Sequence, residues 1–504
     1  MKLNFKKSLL LIIFIGTNIF ATTIENSVVK IYATISEPDQ LIPWQSKRAV
    51  QSTGSGVLIK NRYILTSAHV VQHSTFIEIK KQSEIQKYEA TVKYISYKTD
   101  LALLKVKDAV FYDDIKPLKI GKLPYKQDEI KVIGYPRGGK DISITKGIVS
   151  RIEYSKYSLS NFSYLTIQID APINHGNSGG PVLNDKNKIV GIAMQALKKS
   201  EGIGYIVPTP VINQFLKDIE DGIYDGMPNG GIGITQNLLN KSIRNYYKMN
   251  GKSGILLSKI LKGSFSYGIL KDGDVLLSID NNIVQNDATI KFRDSTVFYS
   301  YAIHKKQIGD SVEFNVLRDG GIKNLKLTIT KSKPLIKNDF KKPKYFIFGG
   351  LVFRPVTSNY IKAIKYKVSS FWYDYYYSNY NQPIADIDEL VYIQNILPNS
   401  SNSGYQTYNS LVKSVNGIKV KNLRDLVSII ENNEDEFVVI KLYNNSKIVL
   451  NHKEVLADNH KTLKNYDIAN DRNFNEEFHL VLLRVYYPNM SRQLFIKSNS
   501  LHNL

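Results

Sequence analysis

The sequence predicts a mainly β protein divided into several domains, and two observations predict it. Its 504 residues exceed what one hydrophobic core organises, so roughly three to four domains are expected. Short runs rich in Val, Ile and Tyr recur with polar turns between them: Ser27 to Ile35, Gly54 to Ile59, Tyr63 to Thr66, Thr75 to Lys80 and Ala90 to Ser96. Many short strands without long helices are the pattern of barrels and sandwiches. A third observation says what this scaffold carries. A serine stands among glycines in Asp170-Ala171-Pro172-Ile173-Asn174-His175-Gly176-Asn177-Ser178-Gly179-Gly180-Pro181-Val182.

Composition narrows the function classes. Hydrophobic residues at 43% and charged residues at 22% describe an ordinary globular chain, which argues against extensive disorder. The net charge of +22 comes from lysines scattered along the whole length. A nucleic-acid footprint needs basic residues clustered on one element, so no nucleic-acid partner is expected. The chain has no cysteine, which excludes disulfides, thiol catalysis and cysteine-ligated metal. No cofactor and no metal are expected.

The first seven residues carry three lysines, and Ser8 to Ile15 is nearly all apolar before Gly16, Thr17 and Asn18. This is the pattern of a secretory leader, 1–21, with Ala21 at the cleavage point. Ile19 departs from the small-residue rule, which leaves an uncleaved inner-membrane anchor as the alternative to a periplasmic protein. The apolar run falls short of the ~20 residues that a spanning helix needs.

The glycine-flanked Ser178 has the chemistry of a nucleophile. Glycines let the backbone turn tightly and aim consecutive N–H groups at one point beside the hydroxyl. The N–H groups of Gly176 and Ser178 are the expected oxyanion donors, each worth roughly 3 to 4 kcal/mol at a transition state. A serine nucleophile needs a base and an orienting acid. Upstream, Gly54 to Ile59, a turn at Lys60-Asn61-Arg62 and Tyr63 to Thr66 deliver His69 just past a strand end. In Tyr97-Lys98-Thr99-Asp100-Leu101-Ala102-Leu103-Leu104, one carboxylate precedes an apolar strand and is placed to be buried. Asp100 beside the imidazole would hold the tautomer that leaves His69 free to accept the Ser178 proton.

The segments Thr66-Ser67-Ala68-His69, Thr99-Asp100-Leu101-Ala102-Leu103-Leu104 and Gly176-Asn177-Ser178-Gly179-Gly180-Pro181 resemble the HtrA/Deg serine proteases, with the nearest likeness to the plant-organelle Deg type. The likeness extends through Gly134-Tyr135-Pro136, Gly147 to Ile152 and Gly204 to Pro210. It implies a chymotrypsin-like double β-barrel, 22–225, followed by two α+β PDZ-like domains. The activity it implies is an ATP-independent serine endopeptidase acting on unfolded or damaged proteins, assembled as a trimer-based homo-oligomer. Pro172, six residues before the serine, stands at the base of the primary pocket in this reading and offers no charge, which disfavours Lys or Arg. By the same resemblance Ile173, Ala193, Met194 and Gln195 line a small aliphatic pocket and pair with the substrate backbone. The alternative is a PDZ-based chaperone or binding scaffold whose protease domain is little used.

Two later segments carry the PDZ resemblance. Gly231-Ile232-Gly233-Ile234 resembles a carboxylate-binding loop for peptide C-termini, and Leu270 to Asp280 matches the same pattern, giving a first module at 228–331. Lys331 to Lys344, with two prolines and many lysines, reads as a solvated linker. Lys413-Ser414-Val415-Asn416-Gly417-Ile418-Lys419-Val420 echoes Leu277-Ser278-Ile279-Asp280-Asn281-Asn282-Ile283-Val284, which implies a duplicated fold and a second module at 345–454. A helix is expected after both copies. In the second, Leu423, Leu426, Val427 and Ile430 fall at helical spacing with Asn422 as N-cap. The aromatic run Phe371 to Tyr377 is read as an interface or core element, and the tail 455–504 carries no motif.

Overall fold

The fold is taken from a computed structural model. It describes residues 24–474, apart from 83, 114, 137–138, 140, 197–202, 338–339, 365–382 and 406–409. The leader, the aromatic run and the last thirty residues, 475–504, lie outside the described residues. The chain divides into two bodies: residues through 33, 52–71 and 76–213 form one, and 34–51, 72–75 and 214 onward the other.

The alternating apolar runs close into two six-stranded barrels. The first is built from Val28–Ile35 (β1), Val50–Ile59 (β2), Tyr63–Thr66 (β3), Ser74–Lys81 (β4), Lys87–Ser96 (β5) and Leu101–Val106 (β6), in the order β1-β2-β3-β6-β5-β4. Inward residues Val29, Ile31, Leu58, Ile64, Ile79 and Leu104 fill it. The second uses Glu129–Gly134 (β7), Ser143–Lys156 (β8), Ser163–Ile169 (β9), Pro181–Leu183 (β10), Ile189–Ala196 (β11) and Gly204–Pro208 (β12). They close as β10-β11-β12-β9-β8-β7 around Val132, Val149, Ile167, Val182 and Ile206. Closure leaves no open sheet edge. A helix, Thr209–Asp218, follows.

In the second body, Ile232–Gln236 (β13), Ile255–Ile260 (β14), Val275–Ile279 (β15), Asn282–Ile283 (β16), Thr289–Phe292 (β17), Ser295–Phe298 (β18), Ser311–Arg318 (β19) and Gly321–Thr328 (β20) come next. The main sheet runs β13-β14-β15-β19-β20, with β13 at its end. The repeat forms the expected β15-β16 turn, but contrary to the expectation no helix follows directly. Thr289-Ile290-Lys291-Phe292 and Ser295-Thr296-Val297-Phe298 alternate with period two and favour strand. They pair as the β17-β18 hairpin, and only the short helix Tyr301–His304 follows.

The last sheet contains Phe346–Phe348 (β21), Leu351–Pro355 (β22), Val391–Ile396 (β23), Ser410–Val415 (β24), Ile418–Lys419 (β25), Phe437–Leu442 (β26) and Lys447–Asn451 (β27). Its order is β21-β22-β23-β24-β26-β27. The helix expected from periodicity is Leu423–Glu431, whose Asn422 side chain accepts from the Asp425 N–H at 2.8 Å. Leu423, Leu426, Val427 and Ile430 are buried against Phe346, Phe348, Val438 and Ile440. The Lys331 to Lys344 segment is not wholly solvated, since Leu335 and Ile336 are buried with Val356, Tyr360 and Tyr392. Their apolar side chains outweigh the solubility of the flanking lysines. Residues beyond 454 join the same sheet: helix His452–Asn465 packs Val455 into the core, and Asp471 and Asn473 pair with Ile347 and Tyr345.

Candidate active site

The helical turn Ala68–Val71 begins one residue after β3 ends. Val70 and Val71 turn into the first barrel, which leaves His69 facing out, with 27% of its side chain exposed. Asp100 stands immediately before β6 with φ +59 and its side chain 1% exposed. Aspartate tolerates this left-handed conformation better than most residues. Its carboxylate grips His69 twice. Oδ1 accepts from the His69 backbone N–H at 2.9 Å and Oδ2 from Nδ1 at 2.7 Å. A carboxylate only accepts, so Nδ1 carries a proton and Nε2 is left as the acceptor. Burial works against a charged imidazole, but the Asp100 charge and hydrogen bond outweigh it and raise the His69 pKa above its ordinary 6.5.

Residues 175–179 form the turn expected around Ser178. Gly176 and Gly179 take φ +102 and +82. At Gly179 no side chain fits, because a Cβ would stand 2.1 Å from Thr66 Oγ1 and 2.3 Å from the Ser55 carbonyl. The turn is tied down on both sides. Ser55 N–H donates to the Ser178 carbonyl at 2.9 Å and Gly179 N–H to the Ala193 carbonyl at 2.8 Å. Ser55 Oγ donates to the Gly176 carbonyl at 2.7 Å and accepts from the Tyr135 N–H at 2.8 Å. Among the described residues, the Gly176 and Ser178 N–H groups have no protein acceptor. The Ser178 hydroxyl donates to the Met194 carbonyl at 3.3 Å.

Pro172 is exposed and its carbonyl accepts from Thr145 Oγ1 at 3.3 Å, whereas Ile173 is buried with Val190, Ala193 and Ile206. Gly204 keeps room beside it, since a Cβ there would lie 2.7 Å from Ile173 Cδ1. Ala193 and Met194 are buried on β11, while the Gln195 side chain lies outside the described residues. Sequence reasoning did not single out Ser55. Its only signal was the small-residue run Gly54-Ser55-Gly56 before the strand. Among the described residues no group of three or more His, Asp or Glu could hold a metal ion. No described helix is long and apolar enough to cross a membrane.

Paired six-stranded barrels with a histidine, a buried aspartate and a glycine-framed serine define the class of trypsin-like serine proteases. The trypsin-like peptidase domain family matches residues 54–192, and the PDZ domain family matches residues 335–474. Protease Do-like 2, chloroplastic, of Arabidopsis thaliana is 35% identical over 89% of this chain and 74% of its own length. Protease Do-like 4, mitochondrial, from the same plant is 36% identical over 85% of this chain and 81% of its own. A solved HtrA-type protease, AlgW with a tripeptide, is 25% identical with a TM-score of 0.48, covering 61% of this chain and 94% of that one. The chain belongs to the HtrA/Deg family of serine proteases, close to the plant-organelle Deg enzymes.

Proposed function

We propose that this serine protease is an exported, ATP-independent endopeptidase that degrades unfolded or damaged proteins through Ser178, His69 and Asp100. The observation that carries the reading is the double grip of Asp100 on His69, which leaves Nε2 as the proton acceptor. For the reaction the Ser178 hydroxyl rotates from the Met194 carbonyl toward Nε2, gives up its proton and attacks the scissile carbonyl. The N–H groups of Gly176 and Ser178 then stabilise the oxyanion. Asp100 remains ionised and steadies the imidazolium, which returns the proton to the leaving amine. Buried Ile173 beside Gly204 supports a small aliphatic residue in the primary pocket.

The two C-terminal modules divide the binding work in this reading. Capture of peptide C-termini falls to the first, where β13 is an end strand to which an extended peptide could be added. Gly231 there adopts φ +71, and Asn229 Oδ1 accepts from its N–H at 3.1 Å. In the second module the Gly349-Gly350 pair, at φ +56 and +74, makes a tight hairpin turn. The preceding β21 pairs with β22, Ile347 opposite Val352, along the edge a peptide would use. The second module is then left to contact neighbouring subunits of a trimer-based homo-oligomer. The Lys-rich, apolar start of the chain supports export to the periplasm. Degradation of unfolded casein without ATP, with Ser178→Ala as control, tests the central reading. Equal turnover by both proteins would refute it. N-terminal sequencing tests export, and Met1 retained in membrane-fractionated material would refute the periplasmic assignment.

A further inference from the structure

Ser55 is fully buried on β2, in the first barrel, yet its N–H and its hydroxyl both reach the serine turn of the second. The N–H donates to the Ser178 carbonyl at 2.9 Å, and the Ser55 carbonyl accepts from Thr66 Oγ1 at 2.7 Å. The hydroxyl stands between two backbone groups, the Gly176 carbonyl at 2.7 Å and the Tyr135 N–H at 2.8 Å. An N–H can only donate, so Oγ accepts from Tyr135 and its own proton is directed at Gly176. Tyr135 is itself held in place: it follows β7 directly, is 2% exposed, and its phenol donates to the Val28 carbonyl at 3.4 Å.

The Gly176 carbonyl belongs to the peptide plane that separates the two expected oxyanion donors. The Gly176 N–H lies one plane before it and the Ser178 N–H one plane after. That middle plane is held at both edges, its carbonyl by Ser55 Oγ and its N–H, from Asn177, by the Asn174 carbonyl at 3.0 Å. The plane after it is held by the Asn177 carbonyl, which accepts from the Gly180 N–H at 2.9 Å. Gly176 itself stands at φ +102, and glycine moves between positive and negative φ at little steric cost, so the orientation of these planes is left to their hydrogen bonds. We propose that Ser55 is a positioning residue for proteolysis, its hydroxyl holding the Gly176 peptide so that the Gly176 and Ser178 N–H groups converge on one oxyanion. Without the hydroxyl, the Gly176 carbonyl and the Tyr135 N–H face an alanine methyl, and a buried carbonyl left unpaired turns to find a donor.

This inference rests on the proposed serine mechanism, so the experiment separates the two. Full-length wild type and Ser55→Ala are acylated with a slowly hydrolysed p-nitrophenyl ester, and the acyl carbonyl stretch is read by infrared difference spectroscopy. Hydrogen bonds in the hole weaken the C=O bond, so in Ser55→Ala the stretch should move to higher frequency. On a fluorogenic peptide kcat should fall roughly ten- to a hundredfold, less than the roughly hundred- to thousandfold that removing a whole donor costs, with KM unchanged. The acid limb of kcat/KM should stay in place, because the bond between Asp100 and His69 is untouched. Ser67→Ala removes an equally buried hydroxyl that donates to the Ala193 carbonyl at 3.1 Å, and should lower the unfolding midpoint while leaving the stretch where it is. Ser55→Cys keeps a side chain that reaches the same groups but donates weakly, so its stretch should fall between wild type and Ser55→Ala, which carries the test if Ser55→Ala folds poorly. An unmoved stretch in the Ser55 variants, or one that moves as far in Ser67→Ala, would overturn the role of Ser55 and leave the serine mechanism standing, provided Ser178→Ala takes up no acyl group. A Ser178→Ala protein that is still acylated and still hydrolyses peptide would overturn the mechanism and the hole together.

Discussion

Gly179→Ala is the sharpest probe of how the serine turn is held. At φ +82 an alanine meets a left-handed backbone that costs a Cβ-bearing residue about 1 to 2 kcal/mol. Its Cβ would also stand 2.1 Å from Thr66 Oγ1, 2.3 Å from the Ser55 carbonyl and 2.9 Å from the Ser67 N–H. Two of these atoms are backbone, and Thr66 Oγ1 is already committed to the Ser55 carbonyl at 2.7 Å, so the turn itself has to move. Relieving such overpacking adds about 1 to 3 kcal/mol. The total of about 2 to 5 kcal/mol should lower the protease unfolding midpoint by roughly 5 to 15 °C. Because the strain adjoins Ser178, turnover should fall more than a hundredfold, as misplacement of a reacting atom by about 1 Å does. Gly273→Ala is the matched control. It has φ +94 with nothing within 4 Å of a Cβ, so it carries only the backbone cost of about 1 to 2 kcal/mol and should keep near-normal turnover. Scanning fluorimetry and peptide hydrolysis on the purified variants read both quantities. Normal midpoint and turnover in Gly179→Ala would refute the claim that close packing positions the serine.

Three further outcomes are expected. His69→Ala and Asp100→Ala should each lose roughly 10⁴ to 10⁶ in kcat without unfolding, since triad members act as one unit. Circular dichroism and single-turnover hydrolysis check this together. The acid limb of kcat/KM should lie above pH 6.5 in the wild type, because the raised His69 pKa keeps the imidazole protonated to higher pH. In Asp100→Asn only burial remains, and the residual activity should show a limb below that value. The sign for stability is opposite to that for activity: the charged pair stabilises the fold below about pH 6.5 and ceases to contribute as pH rises through the raised folded value. Finally, deleting 334–504, a boundary set by burial of Leu335 and Ile336 in the second module, should reduce oligomer mass yet leave binding of C-terminal peptides intact. Light scattering and calorimetry decide, and an unchanged oligomer would count against the assigned division of labour.

What the sequence determined by itself was whatever local pattern encodes. Period-two runs of Val and Ile specified the barrel strands, and Leu423, Leu426, Val427 and Ile430 behind Asn422 specified a capped helix. The serine turn was legible because glycine at Gly176 and Gly179 answers a backbone demand that few other residues meet. Tertiary structure decided everything that depends on residues far apart in the chain. Ser55 Oγ reaches the Gly176 carbonyl 121 positions later, and nothing in its own surroundings names that partner. Residues 349–350 become a hairpin turn only through the pairing of β21 with β22, which the local sequence does not name. Arg354, 1% exposed, donates to the Gln40 carbonyl at 2.6 Å across more than three hundred residues, and Trp44 packs on Tyr345 in the same body. Short-range patterns are written in spacing and propensity, whereas such pairings are chosen by which buried polar group finds a partner once the chain has collapsed, and spacing carries no record of that.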